Sequence, residues 1–194
     1  MTPKSGKASA ERIIYTVGHS TRTAEEFVSL LLAHDVSLLI DVRTVPRSRT
    51  NPQFNKDTLP VTLERAGIRY EHVPALGGLR KPKKDSVNAG WRNLSFRGYA
   101  DHMRTAEFNN AVDALIDLAK TERPALMCAE AVPWRCHRSL IADALIVRGV
   151  RVEELSSRNS RRAHQLRSFA RVCGKTLIYP AEEEGLLRCD KSTG

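Results

Sequence analysis

Five short runs of β-branched and large apolar residues, at 13–17, 36–42, 68–73, 124–129 and 150–155, are separated by segments with helical spacing. Strand-like runs alternating with helices define an α/β fold, a mainly parallel sheet with helices on both faces, because each crossover must return across the sheet. The run VSLLIDV at 36–42 is nearly continuous apolar sequence, as a central strand covered on both faces requires, and Asp41 is its one acid. The spacing predicts helices over 24–34, 56–66 and 136–147, and one or two more within 98–120. Thr23 and Glu26 have the form of a capping box, and Gly67 and Gly149 stand where helices stop.

The 194 residues fit one domain, read as 13–155, with a leader at 1–12 and a basic extension at 156–194. A chain of this length buries a core without needing disulfides, and its four cysteines lack zinc-ribbon spacing. The beginning of the chain has no apolar stretch of signal-peptide length, so a cytoplasmic, reducing setting is expected and no membrane. The net charge of +9 favours a phosphorylated small molecule or a nucleic acid as partner. Basic residues gather in a long polar loop at 74–96, at Arg80, Lys81, Lys83 and Lys84. They gather again in an acid-free stretch from Arg158 to Lys175, read as a basic helix or a tail.

In open parallel sheets the strand carboxyl ends share one rim, where ligands gather. The first strand brings Gly18, His19 and Ser20 there, the second Asp41 and Arg43, and the run at 124–129 brings Cys128 and Glu130. The densest chemistry is CAEAVPWRCHRS at 128–139. Cys136, near a helix start and beside Arg135 and Arg138, is the candidate for a stabilised thiolate. Cys128, inside an apolar run, reads instead as a small buried hydrophobe. The same helix start, with Arg135, His137 and Arg138, is equally suited to an anion.

Several chemistries fail on spacing. A phosphatase or rhodanese loop sets its arginine six positions after the cysteine, whereas Arg135 follows Cys128 by seven. No phosphate-binding P-loop and no dinucleotide fingerprint is present, so no cofactor is expected. Zinc ligation by Cys128, Cys136, His137 and His19 is disfavoured, since adjacent Cys136 and His137 make awkward joint ligands.

The stretches YTVGHST at 15–21, DVRTVPRSRTNPQFN at 41–55, GIRYEHVPALGG at 67–78 and MCAEAVPWRCHRSLIADAL at 127–145 resemble the bacterial and archaeal family called domain of unknown function 488. The resemblance implies an α/β domain and a site built from His19, Asp41, Arg43, Pro46, Arg47, Gly77, Gly78, Glu130, Cys136, His137 and Arg138. It implies no reaction.

Three functions are compatible with these residues. The first is an enzyme on a phosphorylated substrate such as a nucleotide or nucleic acid. In it Arg43, Arg47 and Arg138 hold phosphate, Glu130 or Asp41 acts as acid, base or nucleophile, and His19 assists proton transfer. Gly77, Gly78 and His137 complete its substrate contacts. The second is a noncatalytic nucleic-acid-binding module using the two basic segments. The third is a thiol-dependent enzyme using Cys136.

Overall fold

The structure, a computed structural model, describes residues 12–181; of the expected leader only Arg12 lies among them. In chain order the elements are β1 (Ile13–Gly18), α1 (Ala24–Ala33), β2 (Leu38–Asp41), α2 (Leu59–Arg65), β3 (Arg69–His72), α3 (Leu94–His102) and α4 (Ala106–Leu118). They continue as β4 (Pro124–Cys128), α5 (Arg138–Val147), β5 (Arg151–Ser157), β6 (Ser160–Ala163), β7 (Arg171–Cys173) and β8 (Thr176–Ile178). The main sheet has the order β3-β2-β4-β1-β5-β6, and every pairing is parallel except β5 with β6.

Alternation along the central strands divides the core in two. Ile14, Leu38, Ile40, Leu126 and Val152 face one side, where Phe108, Val112 and Leu115 of α4 and Leu140, Ile141 and Leu145 of α5 cover them. Tyr15, Val17, Leu39, Ala125 and Met127 face the other, against Phe27, Leu30 and Leu31 of α1 and Leu59 and Leu63 of α2. Each such side chain removed from water contributes roughly 1.5–3 kcal/mol. Helices on both faces therefore follow from strands that are apolar on both faces. The capping box forms: the Thr23 hydroxyl accepts from Glu26 N–H, and the Glu26 carboxylate accepts from Thr23 N–H.

The connection from β1 runs through α1 to β2, whereas that from β4 runs through α5 to β5 on the opposite flank. Because β4 and β1 are neighbours, the first connection must pass β4 and the second must pass β1, so the loops leaving their carboxyl ends cross.

Two segments differ from expectation. The polar insert at 74–96 yields its end to α3, whose N-cap Asn93 accepts from the Ser95 and Phe96 amides. The preceding loop is fastened by the buried Asp101 carboxylate, which accepts from Lys83 N–H, Ser86 Oγ and Asn88 Nδ2 at 2.8, 2.6 and 2.8 Å. The basic stretch after 156 is neither helix nor free tail in its described part. It forms β6 and the β7–β8 hairpin, and cations of β6 and the loop after it pair with buried carboxylates: Arg161 with Glu153, Arg162 with Glu154 and Arg167 with Asp143. Cys173 is disulfide-bonded. No helix among the described residues is long and apolar enough to cross a membrane.

Candidate functional site

The crevice at the ends of β1 and β4 is a cleft of about 620 Å³. Cys128, Cys136 and His137 line it together with His19, Ser20, Arg43, Gly78, Glu130 and Arg135, while Val45, Leu79 and Phe96 give it an apolar wall. The loop that follows β4 crosses directly over the end of β1. A Cβ on Gly18 would fall 2.1 Å from the Glu130 carbonyl oxygen, so glycine at 18 is what permits the crossing. The β1–β4 ladder extends beyond the strands, with His19 N–H donating to the Cys128 carbonyl and Ser20 N–H to that of Ala129.

Cys128 ends β4, buried at the cleft floor, and Cys136 lies deeper. Both are free thiols. The adjacent Cys136 thiol, His137 and the Glu130 backbone amide favour the Cys128 thiolate and hold its pKa well below the ordinary thiol range despite burial. Holding that proton beside a second sulfur, and buried, Cys136 is pushed up. His137 Nε2 lies 2.9 Å from the Val42 carbonyl, which can only accept, so this nitrogen carries hydrogen. Nδ1 is left facing the sulfurs, 3.8 Å from Cys136 Sγ. A Cβ on Gly78 would stand 2.4 Å from that Nδ1, so the bare backbone at 78 leaves room for the imidazole.

His19 is fixed at both nitrogens. Nδ1–H donates to the Ser20 carbonyl at 2.8 Å, Nε2 faces Arg43 Nη1 at 3.4 Å, and the ring stacks on Phe54 with centroids 4.1 Å apart. Burial lowers its pKa, as does the neighbouring guanidinium, so it is a neutral ring accepting from Arg43. Ser20 adopts a left-handed φ of +53° where the chain turns out of β1.

The remaining predicted residues divide by placement. Asp41 is fully buried away from the cleft; it takes Arg43 Nε and Nη2 in a fork and accepts from Tyr70 Oη at 2.8 Å. It orients Arg43, whose Nη2 also donates to the Phe54 carbonyl at 2.7 Å. Arg138, 1% exposed, clamps the carbonyls of Glu130 and Ala131 at 2.5 and 3.1 Å and does not line the cleft. Arg47 is exposed outside it, with Pro46 beside it in the same loop. A Cβ at Gly77 would meet Thr44 Oγ1 at 2.6 Å, which ties the 77–78 turn to the loop after β2. Glu130 is half-buried in the cleft, where one carboxylate oxygen accepts from Val132 N–H at 3.2 Å.

The sequence brings Cys128 to the rim at the end of its strand, but its wholly apolar run reads the thiol as a buried hydrophobe rather than a nucleophile. Arg135, assigned to the helix start, is the exposed cation of the cleft.

Fold and cleft together define a doubly covered α/β domain with a cysteine-floored crevice at the ends of β1 and β4. The chain belongs to the family described as domain of unknown function DUF488, whose sequence model matches residues 23–145. No curated protein and no solved structure matches it.

Proposed function

We propose that this DUF488 domain is a thiol-dependent enzyme in which Cys128 attacks an electrophilic centre of a small substrate held in the cleft. The observation that carries the reading is the cluster at the cleft floor: Cys128, Cys136 and His137 hold their sulfur and nitrogen atoms within 4.8 Å of one another, and the far nitrogen of His137 is fixed on Val42. A nucleophile within reach of a base that a third group orients is the arrangement covalent catalysis uses.

The Cys128 sulfur donates an electron pair to the substrate, and the leaving group departs with the pair of the broken bond. His137 Nδ1 takes the Cys128 proton as the sulfur is activated and passes it to the leaving group. Water, deprotonated by the same imidazole, then displaces the enzyme sulfur. Val45, Leu79 and Phe96 receive the apolar part of the substrate, and Arg135 meets an anionic part.

Phosphate capture by Arg43, Arg47 and Arg138 has less support. Arg43 Nη2 and both Arg138 Nη groups donate to internal acceptors, and Arg47 stands outside the cleft. A nucleic-acid surface has less support too: Arg161, Arg162 and Arg167 pair with carboxylates, and Arg80 donates to the carbonyls of Pro74, Ala75 and Gly77.

The test is a panel of activated acyl, phosphoryl and sulfenyl donors, read by intact-protein and peptide mass spectrometry. A covalent adduct on Cys128, and loss of turnover in Cys128→Ser, are expected. Turnover retained in Cys128→Ser would overturn the reading.

A further inference from the structure

We infer that Cys128, Cys136 and His137 also form a binding site for one zinc-type divalent ion, with its fourth coordination position facing the cleft.

Donor chemistry comes first. Two thiol sulfurs and an imidazole nitrogen are the set that tetrahedral zinc takes, and soft sulfur disfavours magnesium or calcium. Distances come second. With Zn–S near 2.3 Å and Zn–N near 2.05 Å, a tetrahedral ion separates its sulfur and nitrogen ligands by about 3.6 Å and two sulfurs by about 3.8 Å. The Cys136 Sγ to His137 Nδ1 separation is 3.8 Å, and the three ligand atoms all lie within 4.8 Å of one another. Closing on an ion therefore requires side-chain shifts of about an ångström or less. The expectation that adjacent Cys136 and His137 are awkward joint ligands is answered by this geometry: the chain turns between them at the entry to α5, and both side chains reach the same point.

Support behind the ligands comes third. A metal-binding imidazole ordinarily donates its other N–H to a carbonyl or carboxylate, which fixes the tautomer and aims the ring. His137 Nε2–H does so on Val42, leaving Nδ1 as the free ligand atom. Gly78 leaves the ring its place. His19 is not the fourth ligand, because its Nε2 faces Arg43. With three protein ligands lining an open cleft, the remaining position is left to water or substrate, as in exchangeable rather than purely structural zinc sites.

The site itself does not depend on the thiol reading. Its consequence does: an ion held on the Cys128 sulfur draws electron density from it and shields it, so metal binding would slow the thiol chemistry and a chelator would restore it.

The experiment titrates cobalt(II), a spectroscopic substitute for zinc, into the reduced, metal-free full chain. One equivalent is expected to give the intense visible bands of a tetrahedral ion and a near-ultraviolet sulfur-to-cobalt charge-transfer band, both removed by zinc. Cys136→Ser and His137→Gln each remove a ligand and should weaken binding by more than the roughly 100-fold that loss of an outer-shell partner can cost. A weak, octahedral-type spectrum without charge transfer overturns the site whatever the variants do. So does binding that survives both substitutions. Alkylation of Cys128 in the same metal-free protein separates the two ideas. Alkylation without cobalt binding removes the metal site and leaves the thiol reading. Cobalt binding with an inert Cys128 does the reverse.

Discussion

His137 donates its Nε2–H to the carbonyl of Val42 across 2.9 Å, joining the start of α5 to the residue just beyond β2. Through that bond the ring is aimed by the sheet rather than by its own helix, and Nδ1 meets the sulfurs. Replacing His137 with Gln should slow alkylation of Cys128 by about 100-fold with the fold retained, the usual scale of a positioned acid–base group. Rates followed by peptide mass spectrometry, with thermal melts as the control for folding, check this.

Gly78 makes a sharper probe, because it touches the ring without sharing its chemistry. Gly78→Ala sets a methyl 2.4 Å from His137 Nδ1, so either the imidazole or the 77–78 turn must move. A shift near 1 Å costs a positioned group up to about 100-fold, so Cys128 reactivity should fall by about 10- to 100-fold. An unchanged rate would mean that the ring does not act on the sulfur.

Arg138 is read as a phosphate ligand from the sequence, yet its guanidinium is spent on the Glu130 and Ala131 carbonyls. Arg138→Met leaves both acceptors without their donor in a buried site, which should cost about 2–4 kcal/mol. Urea denaturation measures the loss. A variant of native stability would show that the clamp contributes nothing.

The C-terminal strands are clamped by His164, which lies 2.7 Å from Asp143 and 2.9 Å from Glu154. Burial pulls its pKa down, but the two carboxylates outweigh burial and hold it above 6.5. Burial likewise raises Glu154, and His164 and Arg162 outweigh that and hold it below 4.5. A raised histidine stabilises fully below 6.5 and loses that contribution as pH rises through its folded value. A lowered carboxylate stabilises above 4.5 and loses that contribution as pH falls through its folded value. The clamp is therefore strongest between 4.5 and 6.5. The melting-temperature gap between wild type and His164→Gln should shrink from about pH 6 to about pH 9. A constant gap would contradict the ion pairing. His19, lowered by burial, pulls the wild type the other way below 6.5, but it is common to both proteins and cancels in the comparison.

The parallel order was legible because apolar runs of strand length alternate with capped helices, and that pattern depends only on local sequence. The strand β6 was not legible: its side chains are basic and exposed, and it joins the sheet with Arg161 and Arg162 paired to Glu153 and Glu154 of β5. The same distinction applies at the cleft. His19, Arg43, Glu130, Cys136 and His137 announced themselves as polar groups at strand and helix ends. Cys128 looked like core because its neighbours are core, and only the crossing of the 130–131 loop over Gly18 sets its sulfur at an opening. Asp41 and Arg138 carry the right charges for chemistry, but burial turns them toward Arg43 and toward backbone carbonyls.

The most direct measurement is the pH dependence of iodoacetamide modification of Cys128 in the reduced, chelator-treated full chain, with the modified residue located by peptide mass spectrometry. The predicted result is full reactivity at a pH well below the ordinary thiol value of about 8.5, with Cys136 unmodified. A Cys128 that stays inert until the pH passes that value, or a Cys136 that is modified first, would contradict the account.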